Sequence, residues 1–332
     1  MQRWSGGEMK KRRRILLDTN VWSYASELNM GDALSRAARE AATEILVSPT
    51  VVEELKRIPD VKRRQAVLKL VTRPGWKRLM PEAYSECLEM KAEIKRLRPQ
   101  WAISNPTFIE VNRLRYDWVR RSGGFWERAA KSIPDPVTDE SMRAEEELKL
   151  ARLEAVEVRD RVKSSNQNLG HTHLQQIAHE PKFDVRGWNG TPVDYWRAPS
   201  LYVFGAELEI YASPYREWLD NEVDVMSMLN DRESMNRLWY HELDARNVPR
   251  QWMRGAFEFL MAWHKVTPGT PGDCALATYL LDADVVVSAD KNFVHFADRC
   301  HAEAPFQSAK AVKVRGGEGA IEDLLELVMG GT

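Results

Sequence analysis

The first ordered pattern in the chain is a short apolar run, Arg14-Ile15-Leu16-Leu17, that meets Asp18 and then a spacing of Val21, Trp22, Ala25 and Leu28. An unbroken apolar run followed by a period near 3.6 predicts a buried parallel strand feeding a helix. The unit recurs at Glu44-Ile45-Leu46-Val47-Ser48. There Pro49 opens the next helix, where its missing N–H costs nothing, and Val51, Val52, Glu53, Glu54 and Leu55 lie on it. A further amphipathic helix is predicted over Val61–Val71, ended by Pro74-Gly75.

From Trp76 to about Lys265 the strand pattern gives way to helical spacing. Helices are predicted over Pro81–Leu97, Thr107–Lys131, Thr138–Ser164, Pro214–Asn247 and Arg250–Val266. Ser165–Ser200, rich in Asn, Gly, His and Pro, reads as a long ordered loop or a mobile element. After Pro268-Gly269-Thr270-Pro271-Gly272 the first pattern returns. Asp273 heads a helix, Asp284-Val285-Val286-Val287-Ser288 is a β-branched strand, Ala311–Arg315 an edge strand and Ala320–Met329 a last helix. The fold class is therefore α/β, with a parallel sheet flanked by helices and split in sequence. Residues 10–75 and 266–332 form its two halves, and residues 76–265 are a mainly α-helical insertion. Insertions of this kind are tolerated because loop-closure entropy grows slowly with length.

The formal net charge is −1, so the whole molecule is not a basic nucleic-acid binder, and such contacts need local positive patches. Cys87, Cys274 and Cys300 match no zinc spacing and suggest no disulfide framework, which fits a reducing cytoplasm. No apolar stretch is long enough to span a bilayer. The basic run Lys10–Arg14 is followed by too few apolar residues for a signal peptide, so a cytoplasmic location without membrane contact is expected.

In an open parallel sheet, ligands bind outside the carboxyl ends of the strands. Asp18 and Asp290 follow two strands directly, Glu54 lies on the helix after a third, and Asp273 heads the helix that feeds the Asp290 strand. All four can reach one rim. Carboxylates gathered in one cleft repel one another unless a cation neutralises them. Oxygen-only ligands favour Mg²⁺ or Mn²⁺, and such sites, which retain water, suit phosphodiester hydrolysis. Each acid also has a structural reading. Asp18 and Asp273 are good helix N-caps, Asp290 suits a turn with Asn292, and Glu54 could be as solvated as Glu53.

Ile15-Leu16-Leu17-Asp18-Thr19-Asn20-Val21 resembles the opening motif of PIN-domain nucleases. Val47-Ser48-Pro49-Thr50-Val51-Val52-Glu53-Glu54-Leu55 resembles their second motif and selects Glu54 over Glu53. Asp273-Cys274-Ala275-Leu276-Ala277-Thr278 is similar to the third, and Val286-Val287-Ser288-Ala289-Asp290-Lys291-Asn292-Phe293 to the fourth. The resemblance covers the two ends of the chain. It implies a three-layer PIN-type core and a Mg²⁺- or Mn²⁺-dependent endoribonuclease with Asp18, Glu54, Asp273 and Asp290 as metal ligands. Thr19, Asn20 and Ser288 would orient these acids by hydrogen bonding. Single-stranded RNA as substrate, a regulatory protein partner and a homodimer are further expectations, as is a role in RNA processing, growth arrest or phage defence. The helical insertion is far longer than in the compact VapC-type toxins of that family. Two other readings stand beside this one. A non-catalytic scaffold could bind RNA or protein. A haloacid-dehalogenase-type phosphatase would need a second Asp where Asn20 stands and another acid just after Asp273, and has neither.

Within the insertion, Arg113, Arg115, Tyr116, Trp118, Arg120, Arg121, Phe125, Trp126 and Arg128 interleave basic and aromatic groups around Gly123-Gly124. Such a surface can stack bases and hold phosphates. It can equally be a helix burying its aromatics while arginines snorkel to water. Arg12, Arg13 and Arg14 likewise read as phosphate contacts or as a solvated arm. His171, His173 and His179 match no zinc pattern.

Overall fold

A computed structural model describes residues 12–120, 122–131, 169–180, 185–263 and 270–330, with 153, 156 and 160 as isolated positions. Apart from the helical positions 153, 156 and 160, the helix expected over Thr138–Ser164 lies outside the described residues, as does Arg121. The first strand–helix units are β1 (Arg13–Leu17), α1 (Thr19–Glu27), α2 (Gly31–Glu40), β2 (Thr43–Val47), α3 (Pro49–Leu55), α4 (Val61–Val71) and the short β3 (Lys77–Arg78). The last are α13 (Thr270–Thr278), β6 (Val285–Ser288), α14 (Lys291–Glu303), β7 (Lys310–Lys313) and α15 (Glu318–Val328).

These strands form one five-stranded sheet in the order β3-β2-β1-β6-β7, every neighbouring pair parallel. The chain is α/β, an arrangement compatible with a three-layer fold. Ile15, Leu16 and Leu17 of the central β1 have no exposed surface, as expected of a strand covered on both faces. The strand order reverses at β1. The chain moves outward to β2 and β3 on one side, and much later returns to β1's other side as β6. The pairing aligns Leu17 with Val287, and the Asp18 N–H donates to the Val287 carbonyl at 3.0 Å. Such a reversal leaves a crevice outside the carboxyl ends of the two central strands, where ligands bind in open α/β sheets.

The intervening segment is helical, with a two-stranded antiparallel ribbon, β4 (Ala178–His179) and β5 (Val193–Asp194). Its helices are α5 (Glu82–Leu97), α6 (Ile109–Val119), α7 (Phe125–Lys131), α8 (Arg197–Glu209), α9 (Pro214–Leu219), α10 (Val225–Asn230), α11 (Arg232–Arg237) and α12 (Pro249–Ala262). Three expectations are corrected. The helix over Thr107–Lys131 breaks into α6 and α7, because Gly123 adopts φ +70° and a Cβ on Gly124 would lie 2.4 Å from the Asp117 carbonyl oxygen. The helix over Pro214–Asn247 is three short helices and a π turn. Asp224 and Asp231 restart the chain as N-caps, accepting from the Ser227 and Ser234 N–H groups. The loop over Ser165–Ser200 contains, in its described part, the ribbon and the start of α8.

One contiguous hydrophobic cluster runs from the sheet into the helical segment, with Trp101, Trp126, Trp196, Trp218 and Trp239 buried within it. The helix α12 joins the two regions. A buried ionic network ties it to α5 and α9: the fully buried Glu86 accepts from Tyr215 Oη (2.7 Å), Gln251 Nε2 (2.9 Å) and Arg254 Nη2 (2.6 Å). Arg250 pairs with Glu89 and, at 2.8 Å, with Asp282 in the turn before β6. No described helix is long and apolar enough to cross a membrane.

Candidate functional site

The crevice between β1 and β6 is built by local rules that act together. Asp18 leaves β1 in extended conformation (φ −71°, ψ 160°) and caps α1, its Oδ1 accepting from the Thr19 N–H at 2.6 Å. Its other oxygen accepts from Ser288 Oγ at 2.5 Å and Asn20 Nδ2 at 2.7 Å. Ser288 is wholly buried at the end of β6, and its Oγ also accepts from the Asp290 N–H at 2.9 Å. Asn20 returns across the crevice, its Oδ1 taking the Ala289 N–H at 3.0 Å. Asp290 caps α14, with Oδ1 accepting from the Asn292 N–H (2.7 Å) and the Phe293 N–H (3.3 Å). The structural reading of Asp18 as a cap is therefore correct, Asp290 caps a helix where a turn with Asn292 was the structural reading, and both caps lie on the same rim.

Glu53 and Glu54 separate clearly. Glu53 points to solvent and pairs with Lys56 at 2.7 Å. Glu54 is half-buried and turns to α1, where Thr19 Oγ1 donates to its Oε2 at 2.6 Å. Asp273 does not cap its helix, as the sequence suggested, because α13 begins at Thr270 and Asp273 stands one turn in. The same turn lies against Glu54: a Cβ on Gly272 would be 3.7 Å from Glu54 Oε2.

The electrostatics join the four acids. Burial, then the charges of Asp18, Glu54 and Asp290, push the Asp273 carboxyl up to about 8. Asp18 is raised to about 6, chiefly by burial and then by Glu54, against the lowering effect of the bonds from Ser288, Thr19 and Asn20. The free oxygens are those that local donors leave over. Among the described residues, Asp273 accepts no hydrogen bond, and Glu54 and Asp290 each engage only one oxygen. An oxygen-only donor set under mutual repulsion suits a hard divalent cation in its chemistry. Among the described residues, no group of three or more Asp, Glu, His or Cys side chains is arranged to hold a metal ion as it stands.

The sequence reading missed Glu82. Its Oε2 accepts from Thr50 Oγ1 (3.3 Å) and Tyr279 Oη (3.1 Å), linking α3, α5 and the turn after α13. The available signal was an acid in the first turn of a helix opened by Pro81.

Arg13 and Arg14 begin β1, at the opposite end of the strand from Asp18. Arg13 donates to the Leu327 carbonyl at 2.9 Å and Arg14 pairs with Asp284, while Arg12 is exposed. Trp126 is core, fully buried, with Nε1 donating to the Trp118 carbonyl at 2.9 Å. Arg120 is held by Asp117 at 2.7 Å, and Arg115 is exposed. His173 caps a 3₁₀ turn. Comparison with protein-family models, curated proteins and solved structures returns no match to this chain.

Proposed function

We propose that the chain is a divalent-metal-dependent nuclease with a PIN-type core, acting on single-stranded RNA. The observation that supports this most is that four acids from separate segments act on one another at the rim: burial first, and then the charges of Asp18, Glu54 and Asp290, raise the Asp273 carboxyl to about 8. Asp18, Glu54, Asp273 and Asp290 would hold Mg²⁺ or Mn²⁺. Such a cation polarises a phosphodiester and activates water. The chain's own contribution is positional. Ser288 and Asn20 fix the Asp18 carboxylate, Thr19 fixes Glu54, and the first N–H groups of α14 fix Asp290.

A binding-only scaffold is the second reading. It is favoured by the open spacing of the acids, which as they stand are not arranged around a metal ion.

The two readings divide on one assay. Purified protein and its Asp290→Asn variant are incubated with mixed single-stranded RNA and DNA under Mn²⁺, Mg²⁺ or EDTA. Metal-dependent cutting by the parent alone is expected. Equal cutting by both proteins would overturn the assignment, and no cutting in any condition would favour the scaffold.

A further inference from the structure

The outer face of α6 carries an exposed stripe of a particular composition. At about 100° per residue, Val111, Leu114 and Trp118 fall on one side, which the structure buries or half-buries. Turned away from it are Ile109, Tyr116 and Val119 of the helix and its N-cap residue Phe108, exposed at 76, 61, 56 and 46%, with the exposed polar Asn112 among them. Arg115 borders this face on one side and Arg113 on the other. Arg115 has no acceptor among the described residues. Arg113 is 82% exposed and meets only Glu110, at 3.8 Å, beyond hydrogen-bond range. Aromatic and aliphatic groups thus lie open between two exposed guanidiniums, of which Arg113 has a loose ion pair with Glu110, on a chain whose net charge is −1.

The stripe is braced. The Arg120 guanidinium lies 5.9 Å from the centroid of the Tyr116 ring and is itself held by Asp117 and the Gly123 carbonyl. Arg128 closes the same turn onto Asp117 at 2.6 Å. Beneath it, the Trp118 and Phe125 rings stack at 4.2 Å between centroids. Lys56 Nζ sits 5.3 Å from the Phe125 centroid, and Lys56 ends α3, two residues beyond Glu54. The face is therefore tied to a helix that contributes to the acid rim.

We propose that this face is a stacking platform for single-stranded nucleic acid, with Phe108 and Tyr116 against bases and Arg113 and Arg115 on flanking phosphates. Unstacked bases offer flat apolar faces with an anionic backbone on either side, which matches an apolar stripe bordered by cations. A second copy of the chain fits less well, because a two-fold contact would set each arginine border against another. The choice of occupant rests on the nuclease reading, but its test reads binding alone.

The full chain is titrated, in EDTA, into a short labelled single-stranded RNA, the matching DNA and the corresponding duplex, with fluorescence anisotropy as readout. Tyr116→Ala and the double variant Arg113→Ala/Arg115→Ala are compared with the parent. Single strands should be preferred over duplex. Tyr116→Ala should weaken binding about tenfold, and the double variant should flatten the salt dependence. Parent-like affinity in both platform variants overturns the proposal, as does a parent that binds no single strand. So does a Tyr116→Ala effect on self-association or vesicle binding with nucleic-acid affinity unchanged. Tyr116-dependent binding without cleavage in the metal assay leaves the platform standing and removes the nuclease.

Discussion

Asp273 is the most perturbed of the rim carboxyls, and its chemistry makes a signed prediction. Its ordinary value of 3.8 rises to about 8 in the fold, so the native state keeps a proton that the unfolded state releases. A group raised in this way costs stability in its ionised form. The cost is absent below the unfolded value, grows as pH climbs, and is complete above the folded value. Asp273→Asn removes that cost while keeping the shape of the side chain. In EDTA the variant should therefore melt above the parent, with a gap that widens between pH 5 and pH 8. Thermal melts at the two pH values check this, and a gap that is constant or narrows would count against a buried, raised carboxyl at Asp273. Asp18, raised to about 6, adds the same sign over the lower part of that window.

At the scale of elements, legibility followed the distance over which the deciding interaction acts. The strands β1, β2 and β6 could be read because each is an unbroken apolar run of β-branched or Leu residues ending at an acid or a serine. Asp18 and Ser48 then cap α1 and α3 through their neighbours' N–H groups, a signal contained within a few residues. The long helices failed where a local cap competes with an apolar spacing that continues through it. Asp224 and Asp231 stop and restart the chain, although Met228, Met235 and Leu238 keep a helical spacing across them. The two-residue β3 has no pattern of its own and exists because Val47 supplies a partner. At the rim, the choice of Glu54 over Glu53 came from resemblance, and the structure gives it a cause in the Thr19 bond. The neighbourhood of Glu82 is tertiary and could not be read locally. Packing between elements also sets a sharp steric limit. A Cβ on Gly255 of α12 would lie 2.8 Å from Trp196 Cβ and 3.1 Å from its Cα. Gly255→Ala gains about 1 kcal/mol of helix propensity but meets backbone that cannot swing away, and overpacking of this kind costs about 1–3 kcal/mol. A net loss of stability in denaturant titration is expected, and a stabilised variant would show that α8 and α12 are loosely joined.

For the molecule as a whole, α12 is the member that carries force between the helical segment and the half of the sheet bearing Asp273 and Asp290. Its grip on α5 is ionic and buried, through Arg254 and Glu86, whose side chains are 15% and 1% exposed. Removing one partner of such a pair leaves a bare charge in the interior, at a cost of about 3–5 kcal/mol. Arg254→Met should lower stability by an amount of that order. The double variant Arg254→Met/Glu86→Gln should recover much of the loss, because the stranded charge is gone. A double variant no better than the single would mean that packing, rather than charge, holds α12 in place.

The pairing of β1 with β6 also has a consequence in time. Leu17 and Val287 lie side by side in the sheet, yet they leave the ribosome far apart. At about 5–20 residues per second, translation separates them by some tens of seconds. Throughout that interval a nascent chain already displays β1 and Asp18 but has neither Ser288 to fix the carboxylate nor Asp290 to face it. The rim is thus assembled only once Asp290 has been made, and a polypeptide released before that would carry its first acids with nothing opposite them.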